Sequence, residues 1–385
     1  MGISIGDFDL VLEPYAKMSY EKHMLDVERY NIPNGEEYAR NKTIKDIYDS
    51  VQAFEYEINS MNSCTGQVPF TTISVGWGTS WICKEIQKAV FNVRMNKLAD
   101  GKVAIFPKIL FFHKKGLNYY PTDPNYDIKR LALKCSSIAM YPDLLNVDRL
   151  IEITGHRVTS MGCRSFLNGI GNGGDESIYG RNNLGVVTLN LVRIGLESDG
   201  DIEKFWRIFR ERMNILKEAL YYRYERVKQV RPENAPILYM QGALGKKLSK
   251  NDSVDELFTN LRATISIGYI GIYETVASIY GLDWVDGNEE AKEFSIEILK
   301  RMKKYADKWS NDTNLKFSVY GTPSESLCDR FNNLDREKFG TIEGITDKEW
   351  YTNSFHYPVD REISPFDKLS FESVYEPYTS GGLIH

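Results

Sequence analysis

The chain predicts an α/β fold, a mostly parallel sheet covered by helices. Three observations carry that expectation. Apolar runs of strand length alternate with segments whose apolar residues recur every three or four positions. The runs stay apolar over successive residues, which suits strands buried on both faces. The chain has 385 residues with 42% hydrophobic content, enough for one large barrel or two ordinary domains. On pattern alone an open sheet and a closed barrel both fit.

Taken in order, "VPFTTISV" (Val68–Val75) reads as a buried strand and "TSWICKEIQKAVFNVRMN" as the helix after it. "AIFPKILFF" (Ala104–Phe112) is a second strand, with Pro107 marking an edge, a bulge or an irregular stretch. "NYDIKRLALKCSSIAM" is helical, with Cys135 on its packed face, and "LGVVTLNLVRI" (Leu184–Ile194) is a strand. The helix that follows places Ile202, Phe205, Phe209, Met213, Leu216 and Leu220 three or four residues apart. Asp199 and Asp201 stand at its start, where negative charge suits the helix dipole. "ILYM" and "ATISIGYI" read as strands, "NEEAKEFSIEILKRMKKYADKW" as a long helix and "KFSVYG" as a further strand. No G-x-G-x-x-G follows any of these strands, and no G-x-x-x-x-G-K-[ST] occurs.

Composition removes several classes. The net charge is −5, which argues against a broad nucleic-acid surface but allows a local nucleotide pocket. No uncharged apolar run reaches about 18 residues, the length of a membrane span. The start "MGISIGDFDLVLEPY" has no basic region of a secretory signal, and Gly6 stands where a myristoylation motif wants Ser or Thr. Cys64, Cys83, Cys135, Cys163 and Cys328 are odd in number and form no C-x-x-C. With no H-E-x-x-H either, no protein-built metal site is expected, and a reducing cytoplasm is the expected compartment.

Two stretches are candidates for chemistry. In "SMGCRSFLNGIGNG" (Ser160–Gly173), Cys163 stands between Gly162 and Arg164, just ahead of a Gly- and Asn-rich turn. The plain reading is a small residue tolerated in a turn. The chemical reading is a reactive sulfur. A thiolate wants a histidine or a helix N-terminus beside it, and His156, seven residues away, has no defined geometry. A thiyl radical needs a rigid position and exclusion of solvent, but no base. In "YGTPSESLCDRF", Thr322 caps a helix, Pro323 fits its first position and Glu325 completes a T-x-x-E box. The strand "KFSVY" runs into this turn, aiming free N–H groups where α/β folds bind phosphates, and Ser324 and Ser326 add hydroxyls. The plain reading is a well-capped helix. Glu325 counts against an anion site unless its carboxylate folds back onto the cap.

These stretches occur with "GRNNLGVVTLNL", "APILYMQGALG", "ATISIGYIGIYETV" and "YTNSFHYPVD", and upstream with "SVQAFEYEINSMNSCTGQVPF" and "DPNYDIKRLALKCSSIAMYPDLLN". Together they closely resemble the anaerobic (class III) ribonucleoside-triphosphate reductases, through nearly the whole chain. The resemblance implies a ten-stranded α/β barrel of two parallel half-barrels, incomplete in this chain. It implies a central finger loop, here Met161–Ser165, with Cys163 as the radical cysteine reaching the ribose. Met161 and Ser165 would tune or position the sulfur, or simply pack the loop. Asn183 matches a family active-site asparagine that would orient substrate or formate, with Asn182 an alternative. Thr322, Pro323, Ser324, Glu325 and Ser326 would bind substrate phosphates. Formate is the implied reductant.

The family carries a glycyl radical in an R-V-x-G-Y-like segment, preceded by a C-x-x-C…C-x-x-C zinc site, and neither motif occurs in this sequence. The only Gly-Tyr pair, Gly268–Tyr269, reads better as a strand and its turn. The family's second active-site cysteine lies upstream of the match, and Cys64, Cys83, Cys135 and Cys328 read as packed thiols. The expectation is one partial catalytic barrel core over residues 1–385, without an ATP-cone or glycyl radical domain, and inactive by itself. Its radical would come from a segment activated by an S-adenosylmethionine/iron–sulfur activase. It would act on ribonucleoside triphosphates as a homodimer or with a complementing polypeptide, with no nucleic-acid or membrane partner. Two alternatives stand beside this: an inactive fragment that binds nucleotide or the reductase dimer, and another glycyl radical enzyme such as a pyruvate formate-lyase. The latter usually shows adjacent cysteines at the loop tip, whereas Cys163 is single.

Overall fold

A computed structural model describes residues 2–61, 68–98, 101–161, 165–167, 178 and 180–379. The chain divides into two compact units, residues 1–163 and 164–385.

The first unit is built on β1 (Gly2–Ile5), β2 (Phe70–Val75), β3 (Lys108–His113) and β4 (Asp143–Asn146), in that order and parallel throughout. The connections are helical: α1 (Phe8–Tyr30) and α2 (Gly35–Ser60), α3 (Trp81–Asn96), and α4 (Tyr126–Ala139); α5 (Val147–Thr154) and β5 (Thr159–Met161) follow. Ile73 and Val75 of β2 and Ile109 and Phe111 of β3 bury one face of the sheet against Ile86 and Val90 of α3 and Ile128 and Ala132 of α4. Ser80 opens α3 by accepting the Cys83 N–H at 3.1 Å. Arg94, fully buried on α3, donates from Nε to Glu55 Oε2 of α2 at 3.1 Å and from Nη2 to Pro107 O at 2.7 Å.

The second unit begins with β6 (Ser165–Leu167) and is built on β7 (Asn182–Asn190), β8 (Ala263–Ile270) and β9 (Lys316–Gly321), again parallel. Between these strands run α6 (Leu191–Ser198), α7 (Ile202–Lys228), α8 (Pro236–Tyr239), α9 (Ile272–Tyr280) and α10 (Glu289–Thr313). After β9 come α11 (Glu325–Phe339) and α12 (Pro365–Glu372). The central strand β8 is buried along its whole length. Ile265, Ile267 and Tyr269 face the core, with Phe205, Phe209, Met213 and Leu216 of α7 and Ile298 and Met302 of α10. Asp201 caps α7 through Oδ1, which accepts the N–H groups of Glu203 and Lys204. Asp199 instead closes α6, with φ at 56°.

Several sequence expectations need correction. "LGVVTLNLVRI" is a strand only to Asn190, because Asn190 Oδ1 accepts the Arg193 N–H at 3.1 Å and starts α6. "ILYM" is helical, with Pro236 at the first position of α8. The strand read from Ala104 begins at Lys108; residues 104–107 are irregular, and Phe106–Pro107 is cis. Ile202 is exposed, while the rest of the α7 stripe is buried. Among the described residues both larger sheets are open.

Candidate active site

The alternation of β8 makes the site. Its second face carries Thr264, Ser266 and Gly268, all small, beside Ser318 of β9 and Val186 and Thr188 of β7. Thr264, Ser266 and Ser318 are buried. Two hydrogen-bonded groups form on this face.

The first centres on Asn183. A register shift between Asn183 and Gly185 bulges β7, and bulges re-aim side chains. Gly185 has φ at 134°, and a Cβ there would lie 2.6 Å from Arg223 Nη1, so only glycine suits the bulge. Asn183 Nδ2 then donates to Ser165 Oγ at 3.0 Å and to Ser266 Oγ at 2.7 Å, while its Oδ1 accepts the Gly185 N–H at 2.7 Å. Both amide hydrogens are used and the orientation is fixed. Asn182 points elsewhere, donating to Leu257 O at 3.4 Å. Of the two candidate asparagines, the geometry brings Asn183 to Ser165.

The second group lies at the C-terminal ends of the strands. Thr188 Oγ1 and Thr322 Oγ1 are 3.0 Å apart, passing over Gly268. The Thr322 N–H extends the ladder to Tyr269 O at 3.3 Å. With its N–H and hydroxyl both engaged in this way, Thr322 is not the helix cap, and the expected capping box is not formed. α11 starts at Glu325 with Ser324 as its cap residue, and the Ser324 side chain makes no capping bond. The N–H groups of Leu327 and Cys328 instead donate to Ser324 O, at 3.1 and 2.9 Å. Thr322 is buried, Pro323 and Ser324 half-buried and Ser326 exposed; for Glu325 only the backbone is described.

Sequence reasoning missed Ser266, Thr188 and Asn353. Asn353 Oδ1 accepts from the Ser324 N–H and the Cys328 thiol, each at 3.4 Å. Its neighbours bind the β8–α9 turn: Gly271 N–H donates to Thr352 O and Ile272 N–H to Ser354 O. Buried Glu274 accepts from Thr352 N and Oγ1 at 2.9 and 2.7 Å, and burial raises its pKa. The small polar residues at every second position of "ATISIGYI" were the available signal for Ser266.

Of the other expected residues, Met161 ends β5 in the first unit and Ser165 opens β6 in the second. Cys163 and Cys64 lie outside the described residues. Cys83, Cys135 and Cys328 are buried and form no disulfide among the described residues. Burial pushes the Cys83 thiol up to about 12 and Cys135 up to about 11, which makes them inert. Among the described residues no group of three or more His, Cys, Asp or Glu side chains is arranged to hold a metal. No helix among them is long and apolar enough to cross a membrane.

The fold is that of the anaerobic ribonucleotide reductases. The Thermotoga maritima enzyme crystallised with dATP and CTP superposes with a TM-score of 0.68 at 19% identity, covering 99% of this chain and 60% of that one. The same enzyme with citrate in its active site gives 0.67 at 21% identity, over 99% and 66%. The sequence profile of the anaerobic ribonucleoside-triphosphate reductases matches residues 2–385, and the chain belongs to that family. It is 47% identical to the Escherichia coli K12 member over all of this chain and 54% of that protein. It is 45% identical to the Enterobacteria phage T4 member, over all of this chain and 63% of that one. The chain thus spans little more than half the length of these relatives.

Proposed function

We propose that this chain is the catalytic core of an anaerobic ribonucleoside-triphosphate reductase, removing the ribose 2′-hydroxyl by thiyl radical chemistry. The observation that supports this reading is the presence, on one polar sheet face of the second unit, of the Asn183–Ser165 bond and the Thr188–Thr322 contact. Ser165 lies two residues from Cys163, and Asn183 holds it. The start of α11, which the Ser324 side chain does not cap, would offer N–H groups to the triphosphate, where an anion also meets the positive end of the helix dipole. Ser324 and Ser326 add hydroxyl donors, and Met161, two residues before Cys163 in the sequence, would help tune or position the sulfur. In this reading residues 1–385 are one partial catalytic barrel core, with Met161–Ser165 as its finger loop.

In this reading the Cys163 thiyl takes the 3′-hydrogen of the bound ribose, which lets the 2′-oxygen leave as water. Formate supplies two electrons and a proton as it becomes carbon dioxide, one further proton is taken up, and Cys163 returns the 3′-hydrogen. A glycyl radical, formed by an S-adenosylmethionine/iron–sulfur activase, supplies the unpaired electron. The chain's own residues bind, orient and shield the ribose. The working form is a homodimer or a complex with a complementing polypeptide, in a cytoplasmic setting.

The test is anaerobic turnover with formate, activase and a polypeptide bearing the glycyl segment. Deoxynucleotide should form, and Cys163→Ser should abolish it while triphosphate binding persists. Undiminished turnover by Cys163→Ser would overturn the proposal.

A further inference from the structure

The turn after β2 gathers three fully buried side chains of the first unit around one peptide. Asp9 of α1 accepts the Gly78 N–H through Oδ2 at 2.8 Å. Gln87 of α3 and Asn125, which precedes α4, donate to the Gly78 carbonyl from Nε2 and Nδ2, each at 2.8 Å. Gln87 Nε2 also donates to Asp9 Oδ2 at 2.5 Å. These bonds fix both amide orientations, because a flip would set oxygen against oxygen. The other end of each side chain is then an acceptor. Asp9 Oδ1, Gln87 Oε1 and Asn125 Oδ1 are buried and have no hydrogen-bond partner among the described residues. The two ends of an amide or carboxylate are about 2.2 Å apart, so each of these oxygens lies within about 5 Å of the Gly78 peptide. Asn125 also forgoes the bond its position invites, since its side chain caps no N–H of α4.

Three buried acceptors with no donor call for a positive charge. Asp9 brings a carboxylate into the interior. Its charged neighbour is another acid, Asp7, and Asp7 already takes Arg157 at 2.6 and 2.8 Å. Amide and carboxylate oxygens of this kind can replace the hydration shell of a small cation. A single carboxylate balances a single charge, whereas a divalent ion would leave a net charge buried. We propose that Asp9 Oδ1, Gln87 Oε1 and Asn125 Oδ1 hold an alkali cation, potassium or sodium, beside the Gly78 turn. The ion would staple α1, α3 and the start of α4 to the turn after β2. The site belongs to the first unit alone and is independent of the reductase reading.

The test compares potassium chloride and sodium chloride with tetramethylammonium chloride, at equal ionic strength and neutral pH, on the whole chain. Hydrogen exchange of the α3 and α4 amides reads the opening of the first unit. At about 100 mM, roughly ten times a half-saturating concentration of about 10 mM, at least one of the two alkali cations should slow that exchange about tenfold. Asp9→Asn removes the charge and should lose the response. In tetramethylammonium it should be the more stable of the two proteins, and the alkali cation should narrow that gap. Asn125→Ala removes one oxygen and should raise the half-saturating concentration about tenfold, the scale of one lost contact to a charged group. Rubidium soaked into crystals of the parent should give an anomalous peak in contact with Asp9 Oδ1, a readout that holds even where a variant does not fold. Equal exchange in all three salts, a full response retained by Asp9→Asn, or no rubidium peak at Asp9 overturns the site.

Discussion

Gly268→Ala is the sharpest test of how the second unit is packed. The added Cβ would meet Thr322 Oγ1 at 2.4 Å, Thr188 Oγ1 at 2.5 Å and Val186 Cγ2 at 2.8 Å. None of these is a tolerable contact. β8 cannot retreat, because its opposite face holds Ile267 and Tyr269 fully buried in the core. Overpacking of this kind costs about 1–3 kcal/mol. Separating the two hydroxyls removes a half-buried hydrogen bond, about 0.5–1.5 kcal/mol. Alanine narrows the unfolded ensemble, which returns about 0.4–1 kcal/mol. The net expectation is a loss of about 2–3 kcal/mol, read as a lower urea midpoint at unchanged m-value. The cost should fall in a Thr188→Ala background, where one of the three contacts is gone, giving a coupling of more than about 0.5 kcal/mol. A cost under about 0.5 kcal/mol, or strict additivity with Thr188→Ala, would refute the packing described.

Three further outcomes are expected. Arg94→Met strands Glu55 in the interior and should cost about 3–5 kcal/mol in denaturant unfolding, while Arg94→Met with Glu55→Leu should recover much of it. Asp9 is raised to about 6 by burial, against the hydrogen bond from the Gly78 N–H and with help from the charge of Asp7. The folded chain therefore holds this proton more tightly than the unfolded one, so stability falls as pH rises through roughly 4 to 6. Asp9→Asn should match the parent near pH 3 and exceed it above pH 6 by on the order of 3 kcal/mol, and parallel stability–pH curves for the two would contradict this. Replacing Ser324 and Ser326 by alanine should weaken triphosphate binding about three- to tenfold, as measured by titration, and an unchanged affinity would leave the backbone N–H groups as the whole of that contact.

The parallel α/β class was legible because strand-length segments rich in apolar residues alternate with helical ones and α7 shows a clean stripe. The helices α1 and α2 were not. The buried face of α2 is Ala39, Thr43, Ile47, Val51, Glu55 and Ile58, regular in spacing but with Thr and Glu among its members. Glu55 is inside only because Arg94 meets it, a contact 39 residues away that no local pattern reports. α1 buries only Phe8, Asp9 and Ala16, so its stripe is nearly absent. The boundary at Asn190 turned on one side chain taking up the Arg193 N–H. The displaced start of α11 has a similar cause: Thr322 had the right type for a cap, but Thr188, distant in sequence, had already engaged its hydroxyl.

The composition of β8 makes the functional reading hard to replace with a purely structural one. Both faces of this strand are buried, and its core face is Ile265, Ile267 and Tyr269. A strand selected for stability alone would carry branched apolar residues on the other face as well, each contributing about 1.5–3 kcal/mol when buried. Thr264, Ser266 and Gly268 forgo most of that. Thr264 Oγ1 also has no hydrogen-bond partner among the described residues, a cost of about 1–3 kcal/mol. Ser266 and Gly268 differ from Thr264 in what they permit: one fixes Asn183, the other lets Thr188 reach Thr322. Proteins accept such local losses where a site needs room and fixed donors. The same face that weakens the core would, under the proposed function, supply the space and the polar anchors a ribonucleotide requires, and β8 is where the stability of the second unit and the proposed chemistry compete.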